Sequence, residues 1–283
     1  MSQACPAKRL ENLFVSTDGS EFSEGAVREA IRLAGKCSSK LKVISVIETN
    51  PEYATIAPQL VEKAEKEARQ HLISVKGMAE KAGVDCEIIV RHGEEPFKYI
   101  VEEAEKKKAD MIITGRRGRK GLKRMMMGGE TARIIGHSPC NVLVVPRAAT
   151  LDFNSIVVAT DGSKYGDAAV TEAINTAVIC NSSLIVISVV PSEAESPFDI
   201  VHSEMQRELI SGKDSNSAEV IVKAVKEKGE GAGIRVRGFI LSGRPYEAIL
   251  ETAKEHKADL IIVGSHGRTG LSKLLMGSVT ERV

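Results

Sequence analysis

Two stretches of this chain carry glycines at intervals suited to holding phosphate. In the second half GSHGRTGLSKLLMGS sets Gly264, Gly267, Gly277 and Ser278 as G-x2-G-x9-G-S. In the first half GRRGRKGLKRMMMGG sets Gly115, Gly118 and Gly128 at the same spacing. Without a Cβ, such positions let backbone amides approach anionic oxygens, and a helix opening at the last glycine adds free amides and a favourable dipole. Ser278 can add a hydroxyl there and Thr280 another. An acid accompanies each loop, since Thr160-Asp161-Gly162-Ser163 repeats Thr17-Asp18-Gly19-Ser20. Each Asp could also simply cap the turn that follows it.

Those residues need strands to present them, and the chain supplies the pattern twice. Lys108-Ala109-Asp110 recurs as Lys257-Ala258-Asp259, so the halves are a duplication. The predicted first-half strands are Leu13–Thr17, Leu41–Ile47, Cys86–Arg91, Met111–Thr114 and Asn141–Val145. Helices are predicted over Ser20–Lys36, Thr55–Lys81, Pro96–Lys107 and Gly128–Gly136. Strands at Ile156–Thr160, Leu184–Val190, Val236–Leu241 and Leu260–Val263 repeat the order. Such alternation predicts an α/β protein of two tandem, doubly wound, Rossmann-like parallel sheets. Each is expected to have five strands in the order 3-2-1-4-5, with helices on both faces. The domains are expected at 1–147 and 153–283, joined through Pro146-Arg147-Ala148-Ala149-Thr150. Val283 aligns with Ile134, so the second half has no counterpart to its partner's last strand. Either the sequence was cut short or another chain completes that edge. Ligands of such sheets sit at strand carboxyl ends where the winding reverses. With first and fourth strands adjacent, Asp161 faces Gly264 across one crevice and Asp18 faces Gly115 across another.

The glycine signature, its duplication and GSHGRTGLSKLLMGSVTERV resemble the universal stress proteins, in a tandem, ATP-binding form. The resemblance implies that base and ribose lie against Asp161 and the second strand's end at Val189. Val263, Gly264, His266, Gly267, Gly277, Ser278, Val279 and Thr280 would surround ribose and phosphates. The matching first-half positions are Asp18, Val46, Gly115, Gly118, Gly128, Gly129 and Thr131. Three departures stand there: Gly129 for Ser278, Glu130 for Val279, and Arg116-Arg117 for Ser265-His266. A glutamate beside phosphate would repel it unless turned outward. The resemblance further implies domains that pair through the last strand, here as a pseudo-dimer within one chain using Asn141–Val145, and a possible homodimer of chains.

Composition narrows the alternatives. The chain has 283 residues, 42% apolar and 27% charged, with 39 basic against 38 acidic residues, so bulk charge does not direct it to nucleic acid or membrane. Arg116, Arg117, Arg119, Lys120, Lys123 and Arg124 form a basic run, but no aromatics are interleaved to stack bases. The N-terminus lacks an apolar leader segment, which predicts a cytoplasmic protein. Cys5, Cys37, Cys86, Cys140 and Cys180 are expected as reduced, mostly buried thiols, with no metal cluster among them. No G-x4-G-K-[ST], G-x-S-x-G or H-E-x-x-H motif is present, nor a catalytic set for hydrolysis. The reading is an adenine-nucleotide (ATP or AMP) binding stress-response protein that senses rather than catalyses, with magnesium bridging phosphates if present. An ATP-using enzyme, or an interaction protein whose pockets are relics, are the rivals.

Overall fold

In β1 (Asn12–Ser16), successive side chains feed opposite cores: Leu13 and Val15 turn to one face of the sheet and Phe14 to the other. The computed structural model describes residues 5–7, 10–117, 127–190, 214–267 and 276–283. Gly118, Arg119, Lys120, Lys123, Arg124, Met125 and Met126 lie outside the described residues. The chain divides after Thr150 into two compact units.

In the first unit β1 is followed by α1 (Glu24–Cys37), β2 (Lys40–Glu48), α2 (Pro51–Ile56), α3 (Pro58–Lys81), β3 (Cys86–Gly93), α4 (Pro96–Lys106), β4 (Met111–Gly115), α5 (Gly129–His137) and β5 (Asn141–Val145). All strands are parallel in the order β3-β2-β1-β4-β5. Ala26, Leu33, Leu72 and Val75 of α1 and α3 close one face over Leu13, Leu41 and Val43. Phe97, Ile100 and Ile134 of α4 and α5 close the other over Phe14 and Ile44. Burying both faces requires the near-continuous apolar strands seen in the sequence.

The second unit has β6 (Ser155–Ala159), α6 (Lys164–Cys180), β7 (Ser183–Val190), α7 (Asp214–Gly231), β8 (Val236–Ser242), α8 (Pro245–Glu255), β9 (Leu260–Val263) and α9 (Ser278–Arg282). Its described strands form a four-stranded parallel sheet, β8-β7-β6-β9, in keeping with the lack of a counterpart to the first half's last strand. The duplicated Lys-Ala-Asp has one structural job in both units. The Lys adopts a positive φ, 51° at Lys108 and 49° at Lys257, and the Asp carboxylate then accepts backbone amides that open the first strand. Asp110 Oδ2 takes Glu11 and Asn12, each at 2.8 Å, while Asp259 takes Asn154 at 2.9 Å and Ser155 at 3.3 Å.

Three sequence expectations change. The long helix predicted over Thr55–Lys81 is two helices, because Pro58 opens α3 and Ala57 before it has a non-helical φ of −132°. The first helix starts at Glu24 rather than Ser20, since Asp18 Oδ1 holds the Ser20 amide at 3.0 Å and its hydroxyl at 2.6 Å in a turn. Finally, Cys5 and Cys37 are joined as a disulfide, with Cα atoms 4.7 Å apart, rather than being separate thiols. Cys86, Cys140 and Cys180 are not in disulfides, and burial pushes the Cys86 thiol up to about 11. Among the described residues no helix is long and apolar enough to cross a membrane.

Candidate functional site

Parallel pairing brings the carboxyl ends of β6 and β9 side by side, with Ala159 opposite Val263, so Asp161 and the loop after Val263 share one crevice. A Cβ built on Gly267 would lie 3.1 Å from Asp161 Oδ2. The carboxylate therefore rests against the loop backbone, and a side chain at 267 would enter the crevice. Asp161 Oδ1 also accepts the Ser163 amide at 3.0 Å, so the turn-capping role and a crevice-facing role coexist in one carboxylate.

His266 stands beside it. Its ring lies 4.9 Å from the Tyr165 ring at a 37° tilt, and its Nδ1 is 3.0 Å from Ser265 Oγ. Among the described residues Nε2 is buried with no hydrogen-bond partner. Where Ser265 donates to Nδ1, Nε2 is a buried donor; where Nδ1 donates to Ser265 Oγ, Nε2 is a buried acceptor. Lys164 Nζ lies over the other ring of this group, 4.8 Å from the Tyr165 centroid.

Gly264 and Gly115 also serve the packing of the fold. A Cβ on Gly264 would meet the Tyr165 backbone carbon at 2.8 Å, and one on Gly115 the Phe22 carbonyl oxygen at 2.7 Å. These glycines let the start of α6, or the turn before α1, press onto a strand end. Thr280 Oγ1 donates to Gly264 O at 2.7 Å and Thr131 Oγ1 to Gly115 O at 2.9 Å. Each hydroxyl proton is thus spent tying a helix to its strand end. Gly277 N and Gly128 N close the loops on Ser265 O and Arg116 O, both at 2.9 Å. Val189 and Val46 are half-buried near the ends of β7 and β2, Ser278 is exposed, and Val279 is half-buried on α9.

The first unit repeats this frame with changed side chains. Glu130 turns away from the crevice, its Oε2 accepting the Phe97 amide at the start of α4 at 3.0 Å. That helix has no side-chain cap from its own N-cap residue, Glu95, and the carboxylate suits the positive end of the helix. Gly129 has open space around its missing Cβ. Thr17 Oγ1, next to Asp18, meets His71 Nε2 of α3 at 3.0 Å, a contact between distant segments that no local motif announces. Among the described residues no group of His, Cys, Asp and Glu is assembled to hold a metal.

The universal stress protein family model matches residues 10–146 and again 152–283. The chain belongs to the universal stress protein family. It is 38% identical over 131 residues to a universal stress protein of Methanocaldococcus jannaschii, covering 46% of this chain and 75% of that one. It is 32% identical over 148 residues to one of Synechocystis, covering 47% and 96%. A solved universal stress protein of Archaeoglobus fulgidus matches with a TM-score of 0.73 at 22% identity, over 98% of this chain and 93% of that one. That likeness bears on the fold: two universal stress protein domains in one chain.

Proposed function

We propose that this universal stress protein binds an adenine nucleotide, ATP or AMP, where β6 meets β9, and that occupancy alters its conformation or its partners. The observation that carries this is the buried Nε2 of His266, without a hydrogen-bond partner among the described residues, next to Gly267, whose backbone rests against Asp161. A buried polar nitrogen is ordinarily satisfied, and a ribose hydroxyl can either donate to it or accept from it. Asp161 is suited to the ribose hydroxyls, the amides around Gly267 and Gly277 to phosphate, and the backbone near Val189 to the base. Magnesium would come with the phosphates rather than from a protein cage. The same reading makes the protein a sensor rather than a catalyst. A cytoplasmic setting and pairing of chains into a homodimer belong to the same reading. The Cys5–Cys37 bond calls for a compartment, or a moment, that is not strongly reducing.

The test is a thermal-shift and calorimetric titration with ATP, ADP, AMP and GTP, alongside mass spectrometry of nucleotide released on denaturation. Adenine-selective binding with a micromolar Kd, about 8 kcal/mol, is expected. Asp161→Ala should abolish binding in the second unit. Unchanged binding by that variant removes the site, whereas no binding to wild type leaves a protein acting through protein contacts.

A further inference from the structure

Independently of nucleotide binding, we propose that the Cys5–Cys37 disulfide is a thiol-exchange site: a low-molecular-weight thiol enters the cavity beside it, attacks Cys37 and leaves that residue as a mixed disulfide.

The bond forms part of a cavity wall. At the amino ends of β1 and β2, a cavity of about 490 Å³ is lined by both cysteines together with Leu10, Asn12, Ser38 and Lys40. That volume lies within the range of small-molecule sites, about 300–1,000 Å³, which suits a small thiol. Both cysteines are half-buried, so the sulfurs are not sealed in a core. Exchange depends on access to the sulfur attacked, and a disulfide on a cavity wall offers that access in the folded protein.

The two sulfurs are not equivalent. Cys37 is the last residue of α1, where the unpaired carbonyls form the negative end of the helix dipole and disfavour a thiolate. Cys5 precedes β1, and its Sγ lies 3.3 Å from Ala7 O, which accepts a hydrogen bond from the thiol once that is released. Cys5 is therefore the better leaving group. The incoming thiolate forms its bond to Cys37 Sγ, the bond between the two cysteine sulfurs breaks, and its electron pair leaves on Cys5 Sγ. That sulfur takes up the proton the incoming thiol gave up. A second small thiol, attacking the sulfur of the first, releases Cys37 as a thiol, so that two small thiols are oxidised to their disulfide as one protein disulfide is reduced.

The remaining cysteines differ. Burial raises the thiols of Cys86 and Cys140 away from the reactive thiolate. Cys180 closes α6 as Cys37 closes α1, but Ala148 stands where the first unit has Cys5, and Cys180 is not in a disulfide.

The oxidised full-length protein tests this, with glutathione as the probe thiol. The chain is incubated with reduced glutathione, quenched by alkylation and read by intact mass and peptide mapping, with circular dichroism following the fold. One glutathione on Cys37, with the alkylating label on Cys5, is the expected intermediate. Cys5→Ser, which cannot close the bond, should take one glutathione on Cys37 from oxidised glutathione, at least about tenfold faster than Cys86 or Cys140 of the same chain. An adduct on Cys5 in place of Cys37 overturns the assignment of the attacked sulfur. Resistance to glutathione of a bond that a phosphine cleaves overturns the exchange site, as does failure of Cys37 to form an adduct in both proteins.

Discussion

A methyl group on Gly264 would meet the Tyr165 backbone at 2.8 Å, whereas one on Gly129 would meet nothing within 4 Å. Spacing alone makes these two glycines members of similar loops, yet the first serves packing and the second is free to change. Gly264→Ala should destabilise the second unit by about 1–3 kcal/mol through overpacking, read by urea denaturation. Gly129→Ser should stay within about 0.5 kcal/mol of wild type by the same measurement. The paired Asp and glycine motifs were legible because turn chemistry is local. Asp161 against Gly267, and Asp18 at the matching strand end, follow from strand order. The outward turn of Glu130 was not legible, since its partner, Phe97 N, comes from a helix 33 residues away. Nor was the tie of Thr280 to Gly264 O, because a threonine at a helix start reads equally well as a ligand contact.

At the level of elements, the disulfide joins the segment before β1 to the last residue of α1, across a separation of 32 residues. Closing a loop of that length restricts the unfolded chain, and in the entropic account contributes about 3–4 kcal/mol. Reduction with a phosphine should lower the Tm of the first unit accordingly, and Cys5→Ser should lose that response. No helix or strand period places Cys5, so its pairing had no sequence signal beyond an odd cysteine count. The break at Pro58 did have one, in the proline itself. A second element-level contact, Arg91 of β3 with Glu103 of α4 at 2.8 Å, carries a pH dependence. Burial opposes the Glu103 charge most strongly, but its bonds to Arg91 and Lys106 prevail, and its pKa falls below the ordinary 4.5. A depressed carboxylate stabilises the fold above the unfolded value and loses that stability as pH falls through the folded one. Glu103→Gln should therefore cost about 2 kcal/mol at pH 7, and the difference from wild type should vanish well below pH 4.5.

For the whole molecule, each unit has its own pair of cores, one on either face of its sheet. The crevice where β6 meets β9 predicts one nucleotide equivalent per chain by calorimetry and none there in Asp161→Ala, and ligand at a hundred times Kd should add about 2.7 kcal/mol to the bound unit. The alternation of strands and helices, and with it the sheet order, was readable from hydrophobic period; the departures between copies were readable as letters, but their directions required the fold. The outer strand of the first sheet has a further consequence. On its α4 side β3 carries Glu87, paired with Lys107 at 2.6 Å, and Arg91, paired with Glu103. A strand from another molecule could extend the sheet at β3 only by drying those ions out. The fence that fastens β3 to its helix thus also guards against self-association, and replacing Glu87 and Arg91 together by valine should be seen first as light scattering at high protein concentration.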